Sequence, residues 1–444
     1  MWQKRNSPDQ SNWSLKKSRS NRVFYGWYIA IAGCISGFLN NTIFTIGLSA
    51  FIPKIREDTG WSLTAISLGF SIKQFEQGLL GPISGYLIDR VGPRLMCSLG
   101  VIITGVGLLL FARMDSFVTF YSAAVIIAFG QSMGAIRAYT TTIVHWFQRK
   151  RGLAAAILGT GFAMGYVGVY PISLLLVKFG WRDSAVICAI VFLVISFPLA
   201  QVIRHRPQPF GLLPDGDSIP EDVSELEGAS DQAEESDSFT VLQALRTRPF
   251  WMVLIARAFY GLTTNVHHVH QIPHLINRGY SPQGAGLFVA VYGLFQMGER
   301  LACGPLGDRI GRFRMYRLSF LFLGVGWVFF AYISPQSSWV TVLFFLTYGL
   351  GHAAHTVAGQ PILADYFGPN RFGTISGIMS PISLTISVIG PLYGGVMFDM
   401  FGNFQRAFVL LGPVIASATV AMFLAGSPTL AGSGQNPSIY VRKR

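Results

Sequence analysis

Charged residues are scarce in this chain. Only 12% of its 444 residues are Asp, Glu, Lys or Arg, whereas 51% are hydrophobic; soluble domains carry about 25% charged residues. The apolar residues come in blocks of about twenty, the length with which a helix crosses a ~30 Å hydrocarbon layer. The composition therefore excludes a soluble protein and predicts an all-α polytopic membrane protein.

Cysteine and enzyme motifs are also scarce. The four cysteines, Cys34, Cys97, Cys188 and Cys303, lie in or beside apolar blocks without metal-ligand spacing, so we expect small core residues rather than a metal site. The chain contains no phosphate-binding loop and no nucleophile elbow, which predicts no enzymatic activity and no cofactor. The first twenty or so residues lack an apolar core, so no cleavable signal peptide is expected.

The apolar blocks predict twelve spans, six on each side of one polar break. They cover residues 27–50, 63–87, 95–111, 117–140, 153–177, 184–202, 250–273, 283–304, 318–333, 339–361, 374–398 and 407–424. The predicted domains are an amino-terminal tail (1–23), a six-helix bundle (24–204), an acidic linker (205–248), a second bundle (249–427) and a carboxyl-terminal tail (428–444). The linker is acidic from Asp215 to Asp237, and we interpret it as a disordered spacer that implies no obligate protein partner.

Positive charge is distributed one-sidedly along the chain. Arginine and lysine concentrate in the amino-terminal tail, in alternate loops and at the carboxyl end, and such residues mark the cytoplasmic side. The net charge of +13 is thereby explained by topology and contact with anionic lipid rather than by nucleic-acid binding. Both termini are predicted to be cytoplasmic, and the short loops favour a bacterial inner membrane.

A duplicated motif relates the two sets of six spans. Residues 85–94 read GYLIDRVGPR and recur as GPLGDRIGR at 304–312. A second pair, Trp146-Phe147 and Tyr366-Phe367, recurs at nearly the same spacing. The motif predicts a tight turn after spans 2 and 8, where the aspartate pairs with arginine or accepts helix N–H groups and latches that face. The predicted gating residues are Gly85, Asp89, Arg90, Gly92, Arg94, Gly304, Asp308, Arg309, Gly311 and Arg312.

The duplicated Gly-x-x-x-Asp-Arg-x-Gly motif on a six-plus-six frame resembles the major facilitator superfamily. Finer features resemble its monocarboxylate transporter and oxalate/formate antiporter branch: Tyr25-Gly26-Trp27-Tyr28, Gly60-Trp61-Ser62, Trp146-Phe147 with 149–153, His270 with Pro273, and Tyr366-Phe367-Gly368 with Gly373 and Gly377. The resemblance implies two pseudo-symmetric six-helix bundles that rock around a central cavity lined by spans 1, 4, 7 and 10.

Basic residues inside spans are candidates for substrate binding, because an intramembrane charge costs about 2.5–3.5 kcal/mol unless it has a partner or water. Arg300 precedes Asp308 by about 12 Å of helix. In carboxylate transporters of the resembling branch, the arginine of Arg-x-x-x-Gly-x-x-x-Asp contacts the substrate, which implies that role for Arg300. A guanidinium matches a carboxylate as a planar fork. Arg137, near the middle of span 4, is the second candidate, and a structural ion pair is the alternative for Arg300.

Four further charges are candidates for coupling: Lys73, Glu76, Arg257 and Glu299. Lys73 and Glu76 lie three residues apart, a spacing that favours an intrahelical pair, although a proton relay through Glu76 is also open. Glu299 is a conjectured partner of Arg257, which would leave Arg300 free.

Uncharged polar residues complete the predicted site. Asn40, Asn41, Tyr139 and Tyr166 are candidates for hydrogen bonding to a ligand, or alternatively for joining helices. Among the histidines of spans 7 and 10 we select His270 and His355, since histidine titrates near neutral pH. Buried structural histidines are the alternative, and the sequence does not favour a metal site at His352 and His355.

The predicted function is secondary active transport of a small organic anion, a monocarboxylate, by proton symport or anion exchange. Spans 1 and 11 lack the lysine that some members of the branch carry there, which argues against a dianion. The alternatives are proton-driven efflux of an amphipathic or cationic compound through Glu76 and Glu299, and a membrane sensor that does not transport.

Overall fold

The computed structural model describes residues 24–133, 135–207, 215, 241–367 and 372–426. Within these ranges the secondary structure is helical, and we number the long helices α1 to α12. In the amino-terminal half, the bounds are α1 Tyr25–Asn40 continued by a π-helix Asn41–Gly47 and by Leu48–Thr59, α2 Leu63–Leu79 with Gly81–Val91, α3 Pro93–Ala112, α4 Phe117–Ser132 with Ala135–Trp146, and α5 and α6 Arg151–Met164 with Val169–Val202. In the carboxyl-terminal half, they are α7 Arg248–Asn277, α8 Pro282–Ile310, α9 Arg312–Tyr332, α10 Ser338–Phe344 continued by a π-helix Phe345–Gly349 and by Leu350–Phe367, α11 Phe372–Ser387 with Ile389–Phe401, and α12 Gln405–Leu424.

Length and hydropathy identify eight helices in the described ranges that can cross a membrane. One of them, Gly152–Val202, is interrupted at Gly180, whose φ of 75° separates α5 from α6. The three long helices that fall outside this test, α2, α7 and α8, contain most of the charged and histidine residues assigned above to the site: Lys73, Glu76, Arg257, His270, Glu299 and Arg300. Those residues lower the mean hydropathy of the helices, so the shortfall marks polar helices within a twelve-helix fold.

Several helices extend beyond the predicted spans. The first span was predicted to end at residue 50, but α1 continues to Thr59, and α8 continues to Ile310. An apolar run measures the part of a helix that faces hydrocarbon, whereas the hydrogen-bonded ladder continues into polar sequence. The predicted ends were therefore too early.

The two equivalent turns after α2 and α8 confirm the internal repeat. Gly92 has a φ of 96° and Gly311 a φ of 89°, values that residues with a Cβ rarely adopt. We call the side of the bundle with these turns the motif face. Because successive helices run in opposite directions, the turns at Gly60, Gly180, Gly279 and Gly402 lie on the other side, the distal face.

The halves contact each other through α2 with α11, α5 with α8, and α1 with α7. On the distal face, Asp399 of α11 accepts hydrogen bonds from the N–H groups of Leu63 (3.1 Å) and Thr64 (2.8 Å) and from Thr64 Oγ1 (2.6 Å). Gly395 packs on the same turn of α2, where a Cβ on this residue would lie only 2.9 Å from the Leu63 carbonyl oxygen. A carboxylate from one half therefore caps the first turn of a helix in the other.

Further cross-half hydrogen bonds run from the distal end to the middle of the bundle. Ser71 donates to the Val388 carbonyl at 2.8 Å, and the amides of Gln74 and Asn265 are 2.8 Å apart. Among the described side chains, no hydrogen bond joins the halves between this level and the motif face, although Leu384 of α11 packs on Gly78 of α2, one turn beyond Gln74. The protein is thus closed on the distal face and open toward the motif face.

Candidate substrate cavity

The middle of α1 is wound as a π-helix from Asn41 to Gly47, a wide turn that often accompanies functional sites. Thr42 donates to the Gly165 carbonyl at 3.0 Å, and Asn41 donates to the Phe162 carbonyl at 2.6 Å. These bonds hold the wide turn on α5. Asn41 therefore joins helices, the alternative considered for it, whereas Asn40 lines the central cavity.

This cavity has a volume of about 370 Å³ and lies between α1, α2, α4 and α7. Small-molecule sites usually have volumes of ~300–1,000 Å³. The cavity lining that the structure describes includes the cations Lys73 and Arg137 and contains no aspartate or glutamate. Its other polar groups are chiefly amides, from Asn40, Gln74, Gln77, Gln131 and Asn265.

Lys73 is only 9% exposed and points away from its predicted partner. Its Nζ donates to the Phe44 carbonyl, within the wide turn of α1, at 2.8 Å. In the described part of the chain Lys73 forms no ion pair with Glu76, and Glu76 Oε2 has no hydrogen-bond partner. The predicted intrahelical pair is therefore wrong, because the lysine side chain reaches across to α1 and finds a backbone acceptor there.

Arg137 lines the cavity from α4. Its Nη1 donates to Ser84 Oγ at 2.9 Å, and its side chain is otherwise largely exposed in the opening toward the motif face. In the same cavity lining, Gln77 Nε2 donates to Gln131 Oε1 at 2.5 Å. A guanidinium in this setting retains donors for a carboxylate that enters from the motif face.

Arg300 is not part of this cavity lining. Arg300 is half-buried on α8, and its Nε has no hydrogen-bond partner among the described residues. Its guanidinium lies close enough to Tyr166, Tyr260 and His352 to interact with them electrostatically. Tyr166 in turn contacts His268, which lines the cavity, with 3.2 Å between Tyr166 Oη and His268 Nε2. Arg300 and Tyr166 are thus adjacent to the cavity wall rather than within it.

The selected histidines are packing residues. His270 is fully buried, and its Nε2 donates to the Pro391 carbonyl at 2.8 Å. His355 stacks on Tyr260 with 3.5 Å between ring centroids. Neither lines the cavity, so the buried structural alternative describes both. The histidine that lines the cavity is His268, which our selection missed together with the amides of Gln74, Gln77, Gln131 and Asn265. His268 shares one face of α7 with Asn265 and Val269 at helical spacing.

Two other predicted contacts are corrected by the structure. Glu299 forms no ion pair with Arg257 in the described part of the chain, and both of its carboxylate oxygens lack hydrogen-bond partners. The Arg257 charge acts instead on Tyr316 and His355. Tyr139 is fully buried against Gly33 of α1, so it packs α4 on α1 and does not face the cavity.

The gating motif is described in part. Arg94 donates from Nε and Nη2 to Gln201 Oε1 at 2.9 and 2.8 Å, which ties the start of α3 to the end of α6. Arg90 lies over the Tyr86 ring, and Arg309 is exposed. A Cβ at Gly85 or Gly304 would meet no atom within 4 Å. The side chains of Asp89 and Asp308 lie outside the described residues, so the latch stays a prediction.

One linker residue, Asp215, is attached to the amino-terminal half. Its carboxylate accepts the backbone N–H groups of Gln148 (2.9 Å), Arg149 (2.8 Å) and Lys150 (3.2 Å), just before α5 begins. Burial alone would raise the pKa of Asp215, but the N–H donors of Arg149, Gln148 and Lys150 outweigh it and lower the pKa below its usual range. The linker is thus anchored at this residue.

Replacing Asp215 with alanine is expected to accelerate hydrogen exchange at the amides of Gln148, Arg149 and Lys150 by roughly 10-fold, because each loses a charge-assisted hydrogen bond. Since the pKa is lowered, the contact is fully present above the ordinary carboxyl pKa and is lost as pH falls through the lowered value. Site-resolved exchange measured against Asp183→Ala, another exposed carboxylate, checks this. Unchanged exchange at the three amides would contradict the anchor.

A second hollow, about 600 Å³, lies on the distal face among Lys54, Asp58, Trp181 and Gln283. Arg182 and Trp181 both donate to the Asp58 carboxylate there. These residues are at the ends of helices, and Asp58 and Arg182 are exposed to solvent, whereas Trp181 is buried. The hollow is therefore a surface feature, separate from the central cavity.

Comparison with known proteins fixes the family. The sequence profile of the Major Facilitator Superfamily matches residues 29–275 and 269–439. The chain belongs to the major facilitator superfamily. The resemblance seen in the duplicated motif is confirmed, and the protein is an integral membrane secondary transporter rather than an enzyme.

The transporter is similar to curated proteins over most of its length. It is 25% identical over 411 residues to monocarboxylate transporter 11 of Homo sapiens, covering 89% of this chain and 82% of that protein. It is 24% identical over 375 residues to the oxalate:formate antiporter of Oxalobacter formigenes, covering 81% and 82% respectively.

Solved structures share the fold of this transporter. A bacterial homologue of the human lysosomal transporter Spinster, in an inward-facing and occupied conformation, superposes with a TM-score of 0.70 at 16% identity, over 91% of this chain and 97% of that one. The nucleoside transporter NupG also gives 0.70, at 11% identity, over 92% and 100%. The predicted two-bundle fold is confirmed.

Proposed function

We propose that this transporter moves a small organic anion, a monocarboxylate, by alternating access, as a proton symporter or an anion exchanger. The observation that carries the proposal is the central cavity, whose described lining presents Lys73 and Arg137 and no carboxylate. In a site of low dielectric, the Arg137 guanidinium, which stays protonated, attracts an anion and repels a cation, and Lys73 adds to this effect in its protonated form. The names of the monocarboxylate and oxalate:formate relatives agree with an anionic substrate.

Arg137 is the proposed carboxylate anchor in this conformation, and Arg300 is proposed as a second anion contact from the other half. Arg137 lines the cavity, whereas Arg300 lies behind the cavity wall, where it interacts electrostatically with Tyr166. Among the described residues, Arg137 donates from Nη1 to Ser84, and Arg300 Nε has no hydrogen-bond partner. Efflux of a cationic compound is disfavoured, because Glu76 and Glu299 do not line the cavity.

The motif face is proposed to be cytoplasmic, in a bacterial inner membrane. The turns on this face carry Arg90, Arg94, Arg149, Arg309 and Arg312, and lysine and arginine in short loops mark the cytoplasmic side. The described conformation is then open to the cytoplasm. The tails at 1–23 and 428–444, also proposed to be cytoplasmic, lie outside the described residues.

The test is uptake into proteoliposomes of a panel of labelled compounds: mono- and dicarboxylates of increasing size, a nucleoside and an organic cation, each with and without an imposed pH gradient. We expect saturable uptake of one or more monocarboxylates. Competition by unlabelled acids then ranks their affinities. Uptake of the cation or the nucleoside alone would overturn the proposal.

A further inference from the structure

Glu299 is a buried carboxyl group that the proposed anion site does not use. It lies in the middle of α8 and is only 8% exposed. Neither Oε1 nor Oε2 has a hydrogen-bond partner among the described residues, and no arginine or lysine pairs with it there. A carboxylate charge in such a place is strongly disfavoured, whereas a neutral carboxylic acid is tolerated.

The carboxyl group occupies a cradle in α10. Gly349 ends the π-helix Phe345–Gly349 of that helix. A Cβ on Gly349 would lie 2.6 Å from the Glu299 carboxyl carbon, and the same distance from Oε1. Only a glycine leaves room for the carboxyl group at this wide turn, so the position on α10 and the acid on α8 fit each other.

The surroundings of Glu299 supply hydroxyl and imidazole groups and one neighbouring cation. On its own helix, Tyr292 and Cys303 lie close enough to Glu299 to interact with it electrostatically, and Arg300 follows it in sequence. The titratable groups on the helices that pack on α8 include Tyr166 of α5, Arg257, Tyr260 and His267 of α7, Tyr316 of α9, and Tyr348 and His352 of α10. The Arg300 charge acts on Tyr166, Tyr260 and His352.

We infer that Glu299 is the binding site for the coupling proton of this transporter, held in the cradle that Gly349 provides. Glu299 takes a proton from water when the site is open to one face, and its carboxylic acid returns that proton to water on the other face. No other co-reactant is needed. The coupling role rests on the proposed anion transport, because a proton and an anion that move together carry no net charge, whereas proton binding itself does not rest on it.

The two halves of the inference are tested separately. First, infrared spectra of the full-length protein, purified in nanodiscs, are recorded as a function of pH. We expect the absorption of a protonated carboxylic acid that disappears as pH rises. It should be lost in Glu299→Gln and retained in Glu76→Gln, a matched variant of the other unpartnered acid. Gly349→Ala should shift the midpoint of this titration, because the added Cβ displaces the carboxyl group.

Second, uptake driven by a pH gradient is compared with exchange of the same anion in its absence. In Glu299→Gln, which imitates the protonated state, we expect the ratio of net uptake to exchange to fall at least about 10-fold. Glu76→Gln should keep the native ratio. Monodisperse elution and an unchanged thermal midpoint confirm that each variant is folded.

Each result has one meaning. An absorption that persists in Glu299→Gln overturns the proton site. An absorption that is lost while the net-to-exchange ratio stays native leaves the proton site and overturns its coupling role. If no anion is transported at all, the proposed function fails, and the infrared titration still decides the proton site.

Discussion

Arg137→Lys is expected to reduce carboxylate uptake by roughly 10- to 100-fold, because a hydrogen bond to a charged group contributes about 1.5–3 kcal/mol. Lysine keeps the charge, but it cannot offer two parallel N–H donors to a carboxylate or reach Ser84 with the same geometry. The loss should therefore fall on affinity and rate together. Uptake kinetics in proteoliposomes measure both.

Arg300→Lys is the matched variant for this prediction. Because Arg300 does not line the cavity in the described conformation, we expect Arg300→Lys to lower the transport rate more than the affinity measured from the motif face. If Arg300→Lys abolishes binding while Arg137→Lys keeps native uptake, the anchor is Arg300, as the family resemblance implies. Binding to detergent-solubilised protein separates these cases from defects in transport.

Asp399→Ala is expected to shift the conformational equilibrium toward the state that opens on the distal face by roughly 10- to 100-fold. The substitution removes three hydrogen bonds from Leu63 and Thr64 to one carboxylate, and even one such charge-assisted bond contributes about 1.5–3 kcal/mol. These bonds exist only while the halves touch on the distal face. Their loss therefore destabilises one state and leaves the other unchanged.

Spin labels at Glu57 of α1 and Met400 of α11, both exposed near the distal face, report the distance between the halves. In a background without the four cysteines, Asp399→Ala should add a longer distance to the distribution. Asp58→Ala is the matched control, because Asp58 accepts only from Trp181 and Arg182 of its own half. A distance distribution unchanged by Asp399→Ala would show that the cap does not hold the distal face closed.

The fold could be predicted from the sequence because the membrane imposes it. A helix is the simplest structure that satisfies its backbone groups in lipid, so apolar blocks and the duplicated turns at Gly92 and Gly311 were sufficient. The site was predicted less well. Charge and helical position identified Arg137, Lys73 and Asn40 as polar residues in spans. The sequence alone could not show which polar faces of the helices point into the same cavity.

Two of the errors share a physical cause. Lys73 and Glu76 have the spacing of a helical pair, yet Lys73 finds the Phe44 carbonyl. His270 has the chemistry of a proton carrier, yet it donates to the Pro391 carbonyl. In both cases the partner is a backbone carbonyl on another helix. Such carbonyls leave no mark in the sequence, so spacing along one helix cannot reveal them.

The wide turn Asn41–Gly47 of α1 determines how the two ends of that helix are rotated relative to each other. A π-helical turn contains more residues than an α-helical one, so it changes the rotational phase of the helix that follows. Restoring α-helical winding there with the number of residues unchanged would rotate Leu48–Thr59 by about 100° relative to Tyr25–Asn40. The face of α1 that packs on α7 and the face that packs on α5 would then no longer be aligned with their partners. The turn thus sets the register between the two ends of α1, because it holds one residue more than α-helical winding would hold over the same rotation.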